Sequence, residues 1–195
     1  MPAVGADTTR ERIIDAADEC FARYGVAKTT VEDIAAAAAL SRATVYRSFT
    51  GGRDEVILAV VLREVRRFLD RLAGRLGQER SVPDAIVEGI LDAVAFMRSE
   101  PRVAHLLAPE AAGHTQAAVA GAAERVLDLC CEYIRPYFDL AQRQGVLRAD
   151  IDAEGTIEFL FRMISSLIVL DRARDDAETR RFLRTYVVPT LVAGR

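Results

Sequence analysis

The sequence lacks tryptophan and has only three cysteines and two histidines. The cysteines and histidines do not show the spacing of a metal site. Because the cysteines are odd in number and form no CxxC motif, they predict neither a disulfide framework nor a zinc site. The most apolar stretch is interrupted by Glu158 and Arg162, so it falls short of the roughly 18 apolar residues that a membrane helix needs. Residues 1–9 show no basic segment followed by an apolar one. We therefore expect no export signal, no membrane partner and a cytoplasmic protein.

Chemistry-bearing motifs are also scarce. The sequence has no glycine-rich phosphate loop and no Ser/His/Asp or Cys/His set spaced for catalysis. We therefore expect no catalytic residue, no metal and no cofactor. An enzyme built on a helical scaffold is the alternative, but the carboxylates of this sequence are scattered and do not form a recognisable catalytic site. The neighbours Cys130 and Cys131 are open to two interpretations, an oxidant-sensing pair or a buried inert pair.

The 195 residues are 51% hydrophobic and 28% charged, as in a soluble globular chain of one or two domains with a real core. Of the 26 basic residues one is a lysine, Lys28, and the net charge is −3. This balance argues against binding nucleic acid through overall charge, but it allows a local basic surface.

Apolar residues recur at helical spacing along almost the whole chain, and no alternating strand pattern is found. The fold class predicted is all-α, with about nine helices. Capping residues, glycines and prolines predict their approximate bounds as 9–24, 31–38, 41–47, 53–76, 81–98, 101–108, 115–143, 153–172 and 176–191.

Residues 31–49 predict a helix-turn-helix, in which two short helices are joined by a few residues. Thr30 and Ser41 are suited to cap the two helices. Val45 and Phe49 are expected to face inward, which leaves a set of side chains outward or at the rim: Arg42, Thr44, Tyr46, Arg47 and Ser48.

The outward set has the chemistry of a DNA-reading surface. Arginine can donate two hydrogen bonds to guanine, threonine can contact the thymine methyl group, and tyrosine and serine hydroxyls can reach phosphate oxygens. Between Asp33 and Asp54 the chain carries three arginines and no acidic residue. The amide groups at the start of the fourth helix, together with Arg53, are a further candidate phosphate site. A purely structural three-helix unit and a protein-binding module are the alternatives.

These residues carry a family resemblance over roughly residues 10–60. Ile14-x-Ala16-Ala17 with Phe21 and Gly25, the segment TTVEDIA at 29–35, and LSRATVY at 40–46 followed by Phe49 resemble the N-terminal signature of TetR-family transcriptional regulators. The resemblance implies a helix-turn-helix head, residues 1–52, and a larger helical body for effector binding and dimerisation, residues 53–195. It also implies a homodimer, usually a repressor, that binds a palindromic double-stranded operator and is released by a small effector.

Carried over by position, the resemblance implies a phosphate contact for Thr30 and a base-reading edge formed by Ser41, Arg42, Ala43 and Thr44. Tyr46 and Ser48 would meet the DNA backbone. Two positions depart from the family pattern. Ala39 stands where the family commonly has glycine, and Arg53 lies four residues after the aromatic Phe49, where the usual lysine lies three after it.

The body is expected to hold an apolar effector among large side chains: Phe68, Leu72, Phe96, Met97, Leu106, Tyr133, Phe138, Phe161 and Met163. Each of these alone is more typical of an ordinary core. The last two helices are predicted to build a subunit interface, with the contact residues Leu160, Ile164, Leu167, Ile168, Leu183, Tyr186 and Val187. The first of these helices is apolar nearly all round, so it must be buried on several sides. A monomeric core is the alternative to a subunit interface as the source of that burial.

Overall fold

The computed structural model describes residues 4–76, 79, 81–100, 116–170 and 175–194, and most of these residues lie in helices, with no strand among them. The helices are α1 (Val4–Tyr24), α2 (Val31–Ala37), α3 (Arg42–Ser48), α4 (Gly52–Leu76), α5 (Val82–Ser99), α6 (Gln116–Arg143), α7 (Ala153–Val169), α8 (Asp176–Phe182) and α9 (Val188–Leu191). A short 3₁₀ turn, Val26–Lys28, follows α1. The all-α prediction is confirmed. The helix predicted over 101–108 lies outside the described residues.

Two compact units make up the described chain, and the division falls within α4, after Val65. The first unit also includes the start of α6 up to Ala123, and the second includes α5 and the chain from Glu124 onward. The domain boundary predicted at residue 52 stays a prediction.

The first unit has a core made by one face of each of its helices. Ile13 and Ala17 of α1, Ile34 of α2 and Val45 of α3 are fully buried, and Phe49 at the end of α3 joins them. Val45 and Phe49 are the inward residues that the helical spacing predicts for α3. Gly25, with φ of +81°, ends α1 as expected for a left-handed stop.

The second unit packs around α5. Val87 and Ile90 of α5 lie in one buried cluster with Phe138 of α6 and with Leu183 and Val187 near the C-terminus. Burying a side chain of this size stabilises a fold by about 1.5–3 kcal/mol. This cluster therefore contributes strongly to the stability of the unit.

The C-terminal segment differs from the single helix predicted over 176–191. After α8 the chain makes a π-helical turn, Leu183–Val187, before α9 begins. In this turn the N–H of Val188 donates to the carbonyl of Leu183, five residues back. Pro189 follows at once and has no N–H to donate, so the ordinary pattern is interrupted at this point. Two backbone hydrogen bonds of 2.9 Å then join the end of the chain to the loop after α6, from Arg148 to Leu191 and from Ala193 to Val146.

In the part of the chain that the structure describes, none of the helices combines the length and the hydropathy of a membrane span.

Candidate nucleic-acid interface and internal cavity

A capping box at Thr30 fixes the start of α2. The N–H of Asp33 donates to the Thr30 hydroxyl at 3.2 Å, and the Thr30 N–H and hydroxyl donate to the Asp33 carboxylate at 2.9 and 2.7 Å. The side-chain hydrogen bond from Thr30, followed by its backbone hydrogen bond, lowers the pKa of Asp33 below its ordinary value. Thr30 is exposed, so its hydroxyl lies at the surface while holding the cap.

The turn between α2 and α3 satisfies the last carbonyls of α2. The N–H of Leu40 donates to the carbonyl of Ala35 at 2.9 Å, and the N–H of Ala39 donates to that of Ala36 at 3.1 Å. This is the Schellman pattern, and it needs a left-handed residue at Ala39. Ala39 has φ of +52°, so alanine occupies a conformation that normally favours glycine. The guanidinium of Arg12 donates to the carbonyl of Ala38 at 2.8 Å and braces the turn from α1.

The predicted DNA-reading residues lie at the surface around α3. Ser41 caps the helix through the N–H of Thr44, at 3.1 Å. Val45 faces the core. Among the other predicted positions, the exposed ones are Ser41, Arg42, Ala43, Tyr46 and Arg47, and the half-buried ones are Thr44 and Ser48. Because residues four apart share a helix face, Arg42 lies beside Tyr46 and Ala43 beside Arg47 on the outward side.

Arg42 is held by an acidic side chain of the preceding helix. Its guanidinium lies 2.7 Å from the Glu32 carboxylate, and both side chains are at least half exposed. The exposed pair contributes little to stability, but it orients the Arg42 guanidinium at the outer edge of α3. Glu32 is a residue that the sequence analysis missed, since nothing in the sequence pairs it with Arg42.

Arg53, predicted to contact phosphate, lies against the backbone of the first unit. It donates to the carbonyl of Thr29 at 2.7 Å and to that of Val26, and only a quarter of its side chain is exposed. These bonds fix the loop before α2. The N–H of Gly51, near the start of α4, donates to the Glu55 carboxylate at 2.9 Å, so a carboxylate already holds one of the amide groups considered for a phosphate.

Arg10 is a second residue that sequence reasoning missed. Its guanidinium donates to the carbonyl of Ser48 at 2.7 Å and lies 4.0 Å above the centre of the Phe49 ring. It also lies 3.6 Å from the Glu55 carboxylate. Arg10 thus fixes the last residues of α3 from α1, and no local sequence signal predicts a contact across 38 residues.

The second unit contains a cavity of about 410 Å³ between α4, α5, α6 and α7. Of the residues predicted for an effector, Phe68, Leu72, Phe138 and Phe161 line it. Phe96, Met97, Tyr133 and Met163 are not among the lining residues, and Leu106 lies outside the described residues. Phe96 stacks on Phe68 with ring centres 4.5 Å apart, and Met163 packs against the buried cluster of this unit.

The residues predicted for a subunit interface fall into three environments. Leu160 and Ile164 line the cavity. Leu183 and Val187 are buried in the core of the chain itself, and Leu167 and Ile168 are half-buried against it. Tyr186 is 65% exposed, and Val169 and Leu170, which follow Ile168 in the sequence, are 79% and 71% exposed. In the last helices, the most exposed apolar side chains are therefore at the end of α7 and on the π-helical turn.

Cys130 also lines the cavity. Burial, and then the neighbouring Cys131, raise the pKa of the Cys130 thiol to about 12. Burial followed by the Glu154 carboxylate also raises the pKa of Cys131. Both side chains are therefore thiols at neutral pH. Within the described residues no group of three or more histidine, cysteine, aspartate or glutamate side chains is placed to hold a metal ion.

The sequence of this chain is similar to that of known regulatory proteins. The family model for bacterial regulatory proteins of the tetR family matches residues 13–60. The HTH-type transcriptional regulator SrpR of Pseudomonas putida is 32% identical over 168 residues, which cover 85% of this chain and 76% of that protein.

Two solved structures share the fold. A TetR-family transcriptional regulator from Pectobacterium atrosepticum has a TM-score of 0.71 at 20% identity, with all of both chains covered. The Thermus thermophilus repressor FadR, in complex with lauroyl-CoA, has a TM-score of 0.68 at 23% identity, covering 95% of this chain and 96% of that one.

Proposed function

The chain belongs to the TetR family of bacterial transcriptional regulators, and from that premise we propose that it is a homodimeric repressor. In this proposal it binds a palindromic operator through α3 and leaves it when a small, largely apolar effector enters the cavity of the second unit. The proposal assigns it no catalytic step.

The observation that carries the DNA-binding part is the surface of α3. Val45 anchors this helix in the core, while Arg42, Tyr46 and Arg47 are exposed on a helix that carries no acidic residue. A helix anchored on one side and rich in hydrogen-bond donors on the other suits the major groove. Arg42 would read a base, and the hydroxyls of Ser41, Thr44 and Tyr46 would meet base edges or phosphates.

Exposed apolar side chains at the end of α7 and on the π-helical turn support the homodimer. Val169, Leu170 and Tyr186 are large, apolar or aromatic, and mostly exposed, and burying them against a second copy would remove apolar surface from water. A two-fold dimer would then place two α3 helices on successive half-sites, about 34–36 Å apart. Sedimentation of the chain as a monomer at micromolar concentration would contradict this part.

The cavity supports the effector part. It lies within the usual size range of small-molecule sites, and a structural relative was solved with lauroyl-CoA. Helix α4 is continuous from Gly52, four residues after α3, to the turns that carry Phe68 and Leu72 at the cavity. An effector that displaces these side chains would move α4 and thereby change the separation of the two α3 helices.

The test is a fluorescence anisotropy titration of the full chain onto labelled duplex from the region upstream of its own gene, at fixed salt, because phosphate contacts make affinity salt-dependent. Arg42→Ala is expected to weaken specific binding by about 1–3 kcal/mol. The matched control is Arg162→Ala, which removes the same charge from an exposed ion pair with Glu158 on α7. It should leave DNA binding unchanged.

If both variants lose the same affinity for the duplex, Arg42 contributes only through its positive charge. If Arg42→Ala binds the duplex as tightly as the wild type, Arg42 does not contact a base. A reporter gene driven by the same upstream region separates repression from activation. Deleting the regulator should raise expression.

A further inference from the structure

Among the described residues, no side chain that lines the cavity is charged. Most are hydrocarbon, and the polar ones are Cys130, Tyr137, Gln144 and Thr156. Tyr137 and Gln144 are exposed, so they mark the part of the lining that solvent reaches. The Cys130 thiol is only a weak hydrogen-bond donor. Among the lining residues that the structure describes, Thr156 is therefore the buried one that can make a strong hydrogen bond with an occupant.

The hydroxyl of Thr156 has no hydrogen-bond partner among the described residues, although Thr156 is 92% buried, with 8% of its surface exposed. Its backbone N–H does donate, to the carbonyl of Asp152 at 3.1 Å. The other buried polar side chain, Thr29, differs, because its hydroxyl donates to the carbonyl of Gly25 at 2.9 Å. The Thr156 hydroxyl oxygen is not fully enclosed by protein, and its side chain lines the cavity. A ligand that displaces water from the cavity therefore leaves this hydroxyl unpaired, at a cost, unless the ligand hydrogen-bonds to it.

We propose that the cavity binds an uncharged amphiphile, a compact hydrocarbon body with one hydroxyl or carbonyl group that hydrogen-bonds to Thr156. This rests on the proposed function, since it assigns the chemical class of the effector. The hydrocarbon body fills the space between Phe68, Leu72, Phe138 and Phe161. The single polar group satisfies Thr156 and sets the orientation of the ligand.

The lining disfavours charged ligands. A carboxylate or an ammonium group loses its hydration on entering, and among the described lining residues no side chain of opposite charge compensates for it. A plain hydrocarbon enters more easily but leaves the Thr156 hydroxyl unpaired. Affinity should therefore follow the order alcohol, hydrocarbon, carboxylate for one and the same ring system.

The test uses three probes that share one ring system, 1-naphthol, naphthalene and 1-naphthoate, titrated into the full chain at pH 7.0 by isothermal calorimetry. We expect 1-naphthol to bind roughly fivefold more tightly than naphthalene, the gain of one neutral hydrogen bond. We expect 1-naphthoate to bind at least about tenfold more weakly than naphthalene, because its charge is not compensated.

Thr156→Val removes the hydroxyl while keeping the shape of the side chain. In this variant 1-naphthol and naphthalene should bind equally, and undiminished binding of naphthalene demonstrates that the cavity is intact. The matched control is Gln144→Ala, which removes an exposed polar group of the same lining. It should preserve the fivefold preference for 1-naphthol.

Three results would overturn the proposal: a preference for 1-naphthol that survives in Thr156→Val, 1-naphthoate binding as tightly as 1-naphthol, or no binding of 1-naphthol below 1 mM. None of these measurements involves DNA. If 1-naphthol binds as expected but does not release the operator duplex, the ligand class stands and the effector role in the proposed function fails.

Discussion

The ring of Tyr46 lies directly against the backbone of Gly52. A Cβ atom on residue 52 would lie 3.0 Å from Cε1 of Tyr46, and Gly52 has φ of +62°. The turn between α3 and α4 is closed by a hydrogen bond of 2.9 Å from the Gly52 N–H to the carbonyl of Phe49. Glycine is required here twice, by the left-handed backbone and by the close approach of the ring.

Gly52→Ala is therefore expected to destabilise the chain by at least about 1–2 kcal/mol, the cost of a left-handed non-glycine residue, and to displace the Tyr46 ring. Urea unfolding measures the first effect, and operator binding measures the second. The matched control is Gly74→Ala, further along the same helix, where a Cβ meets nothing within 4 Å. The control should stabilise α4 by up to about 1 kcal/mol, and destabilisation of both variants alike would contradict this account.

Ala39 is expected to respond in the opposite way. Its φ of +52° costs about 1–2 kcal/mol in a residue with a Cβ. Glycine removes that cost, but it also gives the unfolded chain more conformational entropy, which lowers the stability of the fold by about 0.4–1 kcal/mol. Ala39→Gly should therefore stabilise the chain by up to about 1.5 kcal/mol in urea unfolding.

The control for Ala39 is Ala37→Gly, two residues earlier and inside α2. It should destabilise the chain by about 0.5–1 kcal/mol. If both substitutions destabilise equally, residue 39 does not adopt a left-handed conformation in solution.

The sequence was sufficient to predict the features that depend on neighbouring residues. The caps Thr30 and Ser41 and the inward side chain of Val45 follow from helical spacing and capping chemistry. The partners of Arg10 and Arg53 did not follow, since each bonds to backbone carbonyls more than 20 residues away. Such contacts depend on how helices pack, which no local pattern contains.

The same limit applies to the C-terminal helices. Periodicity predicts that their apolar residues are covered, but it does not say what covers them. Leu183 and Val187, expected at a subunit surface, are covered by the core of the chain's own second unit, whereas Tyr186 of the predicted set is exposed, as are Val169 and Leu170 at the end of α7. Whether a second copy covers that surface stays a prediction.

Cys130 is expected to be unreactive in the native protein. Burial raises its pKa to about 12, and the thiolate is the reactive form. At pH 7.5 iodoacetamide should therefore modify Cys130 at least about a hundredfold more slowly in the native chain than in urea. Peptide mass spectrometry after timed quenching measures both rates.

Mild peroxide should accordingly leave operator binding unchanged. Loss of binding that a thiol reverses, and that is absent when both Cys130 and Cys131 are serine, would instead support the oxidant-sensing interpretation. The urea-unfolded chain is the internal control for the reagent, since all its thiols are accessible.

Glu88 of α5 is expected to make stability depend on pH through its ion pair with Arg180 of α8. The guanidinium donates to both carboxylate oxygens, at 2.8 and 2.9 Å. This hydrogen bonding lowers the pKa of Glu88 below its ordinary value of 4.5. A carboxyl group whose pKa falls on folding contributes stability above its unfolded pKa, and it loses that stability as the pH drops through the folded value.

Glu88→Gln should therefore lower the free energy of unfolding at pH 7 by under about 1 kcal/mol, because both side chains are about a third or more exposed. The difference in free energy of unfolding from wild type should shrink as the pH falls below 4.5.

A double-mutant cycle with Arg180→Gln, measured by urea unfolding at pH 7 and pH 4, isolates the coupling energy of the pair. Arg184→Gln, which breaks the 2.7 Å pair with Asp84, is the control: it removes a second charge that lowers the pKa of Glu88 but leaves both Glu88–Arg180 hydrogen bonds in place. A coupling energy between Glu88 and Arg180 that is already zero at pH 7 would assign the bidentate pair no role in holding α8 to α5.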